Sequence, residues 1–117
     1  MLNKFTQTIC IPGALTTDFV SRFTVPSDCS LVHVSAYCTT QDATLKIGTS
    51  DDDDAYLTST TVTKATDTEI DLDDFVDDAS TGDAAFPHPT DGTVVLVTVG
   101  HGSNCVDLTV VLTFTEG

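Results

Sequence analysis

The sequence predicts an all-β fold, an antiparallel β-sandwich of the jelly-roll kind, on three observations. Threonine is the commonest residue, with 22 copies among 117 residues, and its branched side chain suits a pleated sheet. The acidic residues are almost all aspartate, which favours turns, whereas glutamate favours helices. Apolar and polar residues alternate over several short runs, as in half-buried strands. An immunoglobulin-like sandwich is the alternative architecture.

Seven strands are predicted along the chain, and the first three alternate clearly. They cover residues 4–11, 18–25 and 30–39. The side chains expected on the core face are Phe5, Gln7, Ile9 and Ile11 in the first strand, Phe19, Phe23 and Val25 in the second, and Val32, Val34, Ala36 and Cys38 in the third. Pro12-Gly13 is expected to end the first strand, because proline cannot donate to a ladder and glycine turns freely.

The other four strands are predicted at residues 44–48, 67–72, 93–99 and 105–115. The segment 93–99 is almost continuous in Val and Leu, which is typical of a central strand covered on both faces. Residues 100–104 form a turn, so the last two strands are predicted to be a hairpin. Residues 73–91 contain two prolines and several acids, and are predicted to be a surface loop with one short strand or helical turn near residues 74–76.

The size and the charge of the chain limit its organisation and its partners. We expect 117 residues to form one domain, spanning residues 1–117, around its own core. Four Lys and Arg against eighteen Asp and Glu give a net charge of −14. This charge repels phosphate backbones and anionic lipid headgroups, so neither nucleic acid nor a membrane is an expected partner.

Residues 1–15 do not have the continuous hydrophobic stretch of a signal peptide, because Thr or Gln interrupts each apolar run. No segment reaches the length of a membrane-spanning helix. We therefore expect synthesis in a cytoplasm, where Cys10, Cys29, Cys38 and Cys105 remain reduced thiols. Cys29 and Cys38 flank one predicted strand, whose length separates them too far for a disulfide.

Two segments carry a resemblance to known proteins. The run DATLKIGTSDDDDAYL at residues 42–57 joins a short alternating strand to four aspartates and an aromatic-Leu pair, and the run DLTVVLTFTEG at residues 107–117 is a closing strand. Both resemble small β-sheet structural proteins of tailed bacteriophage virions. The resemblance implies a non-enzymatic decoration or cement protein, bound to the major capsid protein on the capsid exterior and made in the host cytoplasm. It also implies a homo-oligomer, with a trimer as the usual form.

A different class of function stays open beside this one. A tail or fibre module would hold host glycans or calcium through the loops at residues 51–54 and 73–91. The segment 1–12 is also open to two interpretations. It is interpreted first as the first strand of the domain, and alternatively as a strand that adds to a partner sheet on the capsid.

Asp51 to Asp54 is the plausible cation site, because adjacent carboxylates repel and their oxygens are the ligands that calcium prefers. The spacing fails the EF-hand pattern, since Ala55 occupies a ligand position and Tyr56 the glycine position. The acidic run at residues 71–78 fails in the same way. We interpret both as solvated acidic segments, and assign no metal ligand and no cofactor.

No catalytic residue is assigned either. His33, His88 and His101 are scattered, and no nucleophile motif accompanies them. The Gly-His-Gly-Ser-Asn run at residues 100–104 is not a nucleophile elbow. The chain has no Trp and only two Tyr, which is unfavourable for a sugar-cleaving carboxylate pair and its aromatic platform. The sequence therefore predicts a protein that is not an enzyme.

Overall fold

The computed structural model of the protein describes residues 3–78 and 80–116. Within them the chain forms eight β-strands and a short 3₁₀ helix at Leu72–Asp74. The strands are β1 (Lys4–Ala14), β2 (Phe19–Thr24), β3 (Cys29–Tyr37), β4 (Ala43–Thr49), β5 (Leu57–Val62), β6 (Thr68–Ile70), β7 (Val94–Gly100) and β8 (Val106–Glu116). In this part of the chain, no helix has the length and apolar character needed to span a membrane. The predicted all-β sandwich is confirmed.

The strands form two antiparallel four-stranded sheets whose order defines a jelly roll. Sheet A has the order β1-β8-β3-β6, and sheet B has the order β2-β7-β4-β5. A jelly roll forms when one long antiparallel hairpin folds over on itself, and this chain has its four strand pairs: β1 with β8, β2 with β7, β3 with β6 and β4 with β5. Two further pairings, β8 with β3 and β7 with β4, complete the sheets. This is the jelly-roll order and not the immunoglobulin-like alternative.

The core lies between the inner faces of the two sheets. β8 contributes every second side chain to it, and these have no exposed surface: Leu108, Val110, Leu112 and Phe114. The Phe114 ring stacks on Phe5 of sheet A, with 4.9 Å between ring centroids. It also meets Phe23 of sheet B edge to face at 5.8 Å. Phe114 therefore links the two sheets.

The connecting loops gather at two ends of the sandwich, because successive strands run in opposite directions. One end has the loops at residues 25–28, 50–56 and 71–93, and the opposite end has those at residues 15–18, 38–42, 63–67 and 101–105. Backbone hydrogen bonds join the loops at each end. The Val76 N–H donates to the Tyr56 carbonyl at 2.9 Å, and the Leu15 N–H donates to the Cys105 carbonyl at 2.8 Å.

The predicted hairpin between the last two strands is wrong. β7 lies in sheet B and β8 lies in sheet A, so residues 101–105 cross from one sheet to the other. The turn itself is present, with Asn104 in the left-handed region at φ 67° and the Cys105 N–H donating to the His101 carbonyl at 3.0 Å. The prediction assigned β8 the wrong partner strand, because β8 pairs with β1 and β3 instead of β7.

The side chains predicted to face the core from the third strand are correct in the second half of the strand and wrong in its first half. Val34 is buried as predicted, but Leu31 replaces Val32 in the core. The register of β3 against β8 shifts by one residue between Leu31 and His33. This β-bulge reverses the alternation of side chains at that point, which explains the difference.

β5 was not among the predicted strands, because Leu57–Val62 contains only two apolar residues separated by Thr and Ser. Leu57 and Val62 are both buried although they are five residues apart, which a regular strand does not allow. The register of β5 against β4 shifts by one residue between Leu45 and Ile47. The resulting bulge brings both apolar side chains to the core face.

The remaining differences are small. β1 continues past the predicted stop at Pro12-Gly13 to Ala14, with a register shift in between. The predicted helical turn is present as the 3₁₀ helix, about two residues earlier than expected. β7 has its predicted central place in a sheet. Residues 1 and 2 of the segment 1–12 lie outside the described residues, and most of the rest of it is β1 of sheet A, in agreement with its first interpretation as the first strand of the domain.

We expect Phe114→Ala to lower the free energy of unfolding by about 3 to 5 kcal/mol, because it opens a cavity between the sheets. Urea denaturation followed by circular dichroism measures this loss. Phe86→Ala is the matched control, since Phe86 keeps 40% of its surface exposed and its truncation should cost much less. Equal losses in the two variants would contradict the central role of Phe114.

Candidate functional site

The Asp51 to Asp54 segment, the candidate cation site, is a compact turn between β4 and β5. The Thr49 N–H donates to the Asp52 carbonyl at 2.8 Å, and the Asp52 N–H donates to the Thr49 carbonyl at 3.2 Å. The Tyr56 N–H donates to the Ile47 carbonyl at 3.0 Å and closes the turn. Backbone hydrogen bonds therefore define the shape of this turn.

The turn folds over Gly48 of β4, on the outer side of sheet B. A Cβ atom at residue 48 would overlap the Asp52 carbonyl oxygen and would lie 2.5 Å from the Asp53 carbonyl carbon. Glycine in a strand commonly marks such a close approach of another backbone. Gly48 is therefore required by the acidic turn that follows it.

The carboxylates of this turn lie close enough to repel one another. One carboxylate oxygen from each of Asp52, Asp53 and Asp54 lies within 4.8 Å of the others. A hydrogen bond with the Asp52 side chain and the charge of Asp52 raise the pKa of Asp54 above its ordinary value of 3.8. Lys46 offsets part of the repulsion, since its Nζ lies 3.2 Å from Asp53 Oδ2. The oxygens are of the type that calcium binds, although exposed acidic groups at this spacing are common without an ion.

The long acidic loop at residues 71–93 is attached to the sandwich at several points. The Leu31 N–H of β3 donates to the Pro87 carbonyl at 2.9 Å. Phe75 is buried and meets Phe86 edge to face, with 6.3 Å between ring centroids. The prediction that this segment lies at the surface is confirmed for its acidic residues, which are exposed to solvent. It is wrong for its two prolines, which are buried.

The acidic residues are divided very unequally between the two ends of the sandwich. The loops at residues 25–28, 50–56 and 71–93 hold twelve of the eighteen acidic residues and no Lys or Arg, and we name them the acidic end. The loops of the opposite end hold one lysine, Lys64, and three acidic residues, Asp18, Asp42 and Asp67. The last three acidic residues lie within strands: Glu69, Asp107 and Glu116.

The outer face of sheet A is almost free of acid. Its β1 and β8 side chains are mostly hydroxyl-bearing or otherwise small, and they pair in register: Thr6 with Thr113, Thr8 with Val111, and Cys10 with Thr109. Across β1, β8 and β3, acidic residues occur only at the two termini of β8. Negative charge is thus concentrated at one end of the molecule and nearly missing from this face.

The three histidines lie apart, and each has a different contact. His33 Nε2 lies 3.6 Å from Glu69 Oε1, His88 Nδ1 lies 3.1 Å from Ser30 Oγ, and His101 Nδ1 lies 2.6 Å from Asp18 Oδ1. Within residues 3–78 and 80–116, no group of three or more His, Cys, Asp or Glu that could hold a metal includes a histidine. That none of the histidines is catalytic stays a prediction.

Asp18 contacts His101 at the opposite end through both the backbone and the ring of the histidine. Asp18 Oδ1 accepts from the His101 backbone N–H at 3.1 Å as well as contacting the ring. These hydrogen bonds, the side-chain one first, lower the pKa of Asp18 below 3.8. The pair joins the loop after β1 to the loop after β7.

A polar cleft of about 370 Å³ also lies at the opposite end. Its lining includes Asp42, Lys64 and Ser103. The Asp42 carboxylate is already occupied in part, since Oδ1 accepts from the Lys64 backbone N–H at 2.9 Å. The lining contains no histidine or cysteine, so the cleft has no nucleophile paired with an imidazole base.

The four cysteines are free thiols, as predicted. Cys10 is exposed, and Cys29, Cys38 and Cys105 are buried. Burial raises the pKa of each buried thiol above 9.0, which keeps it protonated and unreactive.

Two parts of this geometry were not predicted from the sequence. Gly48 interrupts an alternating strand just before the aspartates, and this is a local signal that could have identified it. Asp18 and His101 are 83 residues apart, and no local pattern connects them.

These features describe a class of molecule, a small jelly-roll β-sandwich that carries most of its acid at one end. No family model matches the sequence, and no curated protein matches it. Among solved structures, a chain of the Cyanophage Pam1 capsid asymmetric unit is similar to this chain, with a TM-score of 0.57 and 15% sequence identity. The alignment covers 99% of this chain and 85% of that chain. At this identity the likeness establishes a shared fold.

We expect Gly48→Ala to destabilise the protein by about 1 to 3 kcal/mol, because the new methyl group meets backbone atoms that must move. Gly100→Ala is the control, since its Cβ would meet the Thr44 hydroxyl, which rotation of the side chain can relieve. Urea denaturation of both variants measures the difference. A loss for Gly48→Ala no larger than that for Gly100→Ala would contradict the close approach of the turn.

We expect Asp18→Asn to reduce the loss of stability in acid. A carboxyl whose folded-state pKa is lowered stabilises the fold above its unfolded pKa, and this contribution is lost as pH falls through the folded value. For Asp18 the loss begins near pH 3.8 and extends below it. Urea midpoints of wild type and variant, measured from about pH 5 downward, test this. Asp67→Asn, at the same end, is the control and should follow the wild-type profile.

Proposed function

We propose that this chain is a non-enzymatic structural protein of a phage virion, a decoration or cement protein that binds the outside of the capsid. The observation that carries the proposal is the fold shared over 99% of the chain with a chain of the Cyanophage Pam1 capsid asymmetric unit. The two chains are of comparable length, since the alignment covers most of both. A jelly roll of about this size is therefore a component of that capsid.

The resemblance of residues 42–57 and 107–117 to small phage virion proteins supports the same role. The resemblance implies that the partner is the major capsid protein, that the chain lies on the capsid exterior and that it is made in the host cytoplasm. It also favours a homo-oligomer.

The distribution of charge supports an oriented attachment. Twelve carboxylates at one end would repel an acidic neighbour and interact strongly with water, so we place the acidic end toward solvent. The outer face of sheet A, where acidic residues lie only at the margins, is better suited to contact a shell. The acid would also keep particles apart in solution, because like charges repel at the separations where surfaces first meet.

The described residues also offer little for catalysis. Their one cluster of possible metal ligands is the Asp52 to Asp54 group on the acidic turn, and the lining of the cleft at the opposite end contains no histidine or cysteine. A closely packed core with its polar groups on loops is suited to mechanical support.

We expect the chain to be present in purified virions at a copy number comparable with the major capsid protein. Quantitative mass spectrometry measures this number, and cryo-electron microscopy locates the chain and its orientation. In an add-back assay on particles that lack the chain, Asp73→Asn/Asp77→Asn/Asp83→Asn should bind as the wild type does, since these loop residues face solvent. Absence from the virion, or a location inside the shell, would refute the proposal.

A second candidate is a tail or fibre module for host glycan or calcium, and the observation that favours it is the three carboxylates within 4.8 Å. Calorimetric titration with Ca²⁺ distinguishes the two functions. Binding that is lost in Asp52→Asn/Asp54→Asn, together with a few copies at the tail, would support this candidate. Many copies on the head and no calcium binding would exclude it.

A further inference from the structure

The polar cleft at the opposite end is bounded by three loops and a corner of sheet B. The loops are those that follow β3, β5 and β7, and Thr44 of β4 and Thr61 of β5, which pair in register, complete the lining. Ala43 and Val62, their neighbours in the chain, are buried, so the two threonines face outward from sheet B. The cleft therefore lies on the side of the sandwich away from the outer face of sheet A.

Hydrogen bonds and close packing fix the walls of this cleft. The Ala65 N–H donates to the Cys38 carbonyl at 2.7 Å, and the Lys64 N–H donates to Asp42 Oδ1 at 2.9 Å. A Cβ atom at residue 102 would overlap the Asp42 carbonyl oxygen, so Gly102 lets the third loop pack directly on the first. The cleft is thus formed in advance, which spares a ligand the entropy cost of ordering these loops.

The same three loops contain most of the strained backbone of the molecule. Within residues 3–78 and 80–116, four residues other than glycine have a positive φ, and each of these loops holds one of them: Gln41 at 64°, Ala65 at 55° and Asn104 at 67°. This conformation is uncommon for Gln and Ala, and strained residues of this kind cluster at sites that hold ligands. Gln41 is both strained and part of the lining.

The side chains of the lining are mostly polar, and their charges balance. They supply one ammonium, one carboxylate, one carboxamide and three hydroxyls, from Lys64, Asp42, Gln41, Thr44, Thr61 and Ser103. Hydroxyl and carboxamide groups both donate and accept hydrogen bonds, so a ligand with several hydroxyls of its own matches them best. Ions are poorer candidates, because the net charge of −14 repels an anion and Lys64 repels a cation.

We propose that this cleft binds a neutral sugar unit of a surface polysaccharide. Its volume of about 370 Å³ lies near the lower end of the range for ligand pockets, roughly 300–1,000 Å³. The lining contains no aromatic residue, so a sugar gains no stacking on a ring. A single cleft should therefore bind weakly, with a Kd of about 1 to 20 mM.

Many copies on one particle would make such a weak site effective. This use rests on the proposed function, because a particle that carries many copies binds a repetitive polysaccharide far more tightly than one copy does. The cleft would stay open on the particle, since the contact with the shell is proposed for the outer face of sheet A. The acidic loops considered for a tail or fibre module lie at the other end of the sandwich and take no part in this site.

Nuclear magnetic resonance of the full chain tests the site without the virion. The ¹⁵N-labelled protein is titrated with the methyl glycosides of glucose, galactose, mannose and N-acetylglucosamine, each to about 100 mM, several times the expected Kd. At least one of them should give saturable shifts at the amides of the lining residues. No saturable shift with any of these sugars, or shifts confined to the acidic end, would overturn the proposal.

Gln41→Gly separates a binding role of this residue from a structural one. Glycine adopts a positive φ without strain, so the variant should resist urea at least as well as the wild type. It loses the carboxamide, and the Kd should rise about twofold to tenfold, the effect of one hydrogen bond.

A matched pair of variants on β5 provides the control. Thr61→Val removes a hydroxyl of the lining and should raise the Kd to a similar extent, whereas Thr58→Val, on the same strand but outside the lining, should leave it unchanged. Unchanged binding in both Gln41→Gly and Thr61→Val would refute the site.

Whole particles test the source of the sugar. Virions should be retained on a matrix that carries the glycoside bound by the isolated chain, and virions with Thr61→Val should be retained less. Binding by the isolated chain without retention of particles would overturn the surface polysaccharide and leave a free sugar as the ligand. The number of copies per virion is measured separately, so a chain that binds sugar but is absent from virions would refute the proposed function and not the cleft.

Discussion

β8 is the strand on which the rest of the fold depends, because it is paired on both sides and its inner side chains fill the core. β1 and β3 are joined only through it, so sheet A would otherwise fall into two parts. Its inner row, from Leu108 to Phe114, has no exposed surface. Burial of such a row is the largest favourable contribution available to a two-layer sandwich. The bulge in β3 follows from its pairing with β8, since it brings Leu31 and Val34 to the core face that the inner row of β8 also occupies.

The division of charge is a consequence of this architecture. Strands that pair on both sides and face a core have little room for carboxylates, which lose hydration when they are buried. Fifteen of the eighteen acidic residues therefore lie in loops, and two of the loops on one side, residues 50–56 and 71–93, are the longest among the described residues. In the strand before the first of these loops, Gly48 leaves room for the backbone of the acidic turn, and Lys46 offsets part of the repulsion between its aspartates. A single fold thus separates a strongly charged end from a nearly neutral sheet face.

Much of the fold could be predicted from sequence, and the errors have physical causes. Strands with strict alternation, such as β1, β2 and β8, were found because their period of two is a local property. β5 was missed because Thr and Ser separate its two apolar residues. The final hairpin was predicted from a real turn, but alternation in β8 fits either sheet equally well. Only contacts about a hundred residues apart, such as Cys10 with Thr109, decide which sheet it joins. In the site, the acidic turn was predicted, whereas the Asp18 pair with His101 depends on two distant loops.

The pairing of β1 with β8 has a consequence for how the protein is made. The two strands are separated by most of the chain, so β1 must wait for β8 to be synthesised before it has a partner. Folds dominated by such distant contacts form slowly, on the order of milliseconds to seconds. A long loop must close, at a cost in entropy, before the two strands can make stabilising contacts. Until then the nascent chain exposes both β1 and the unpaired side of β3. Newly made chains would therefore spend their most aggregation-prone interval on or just after leaving the ribosome.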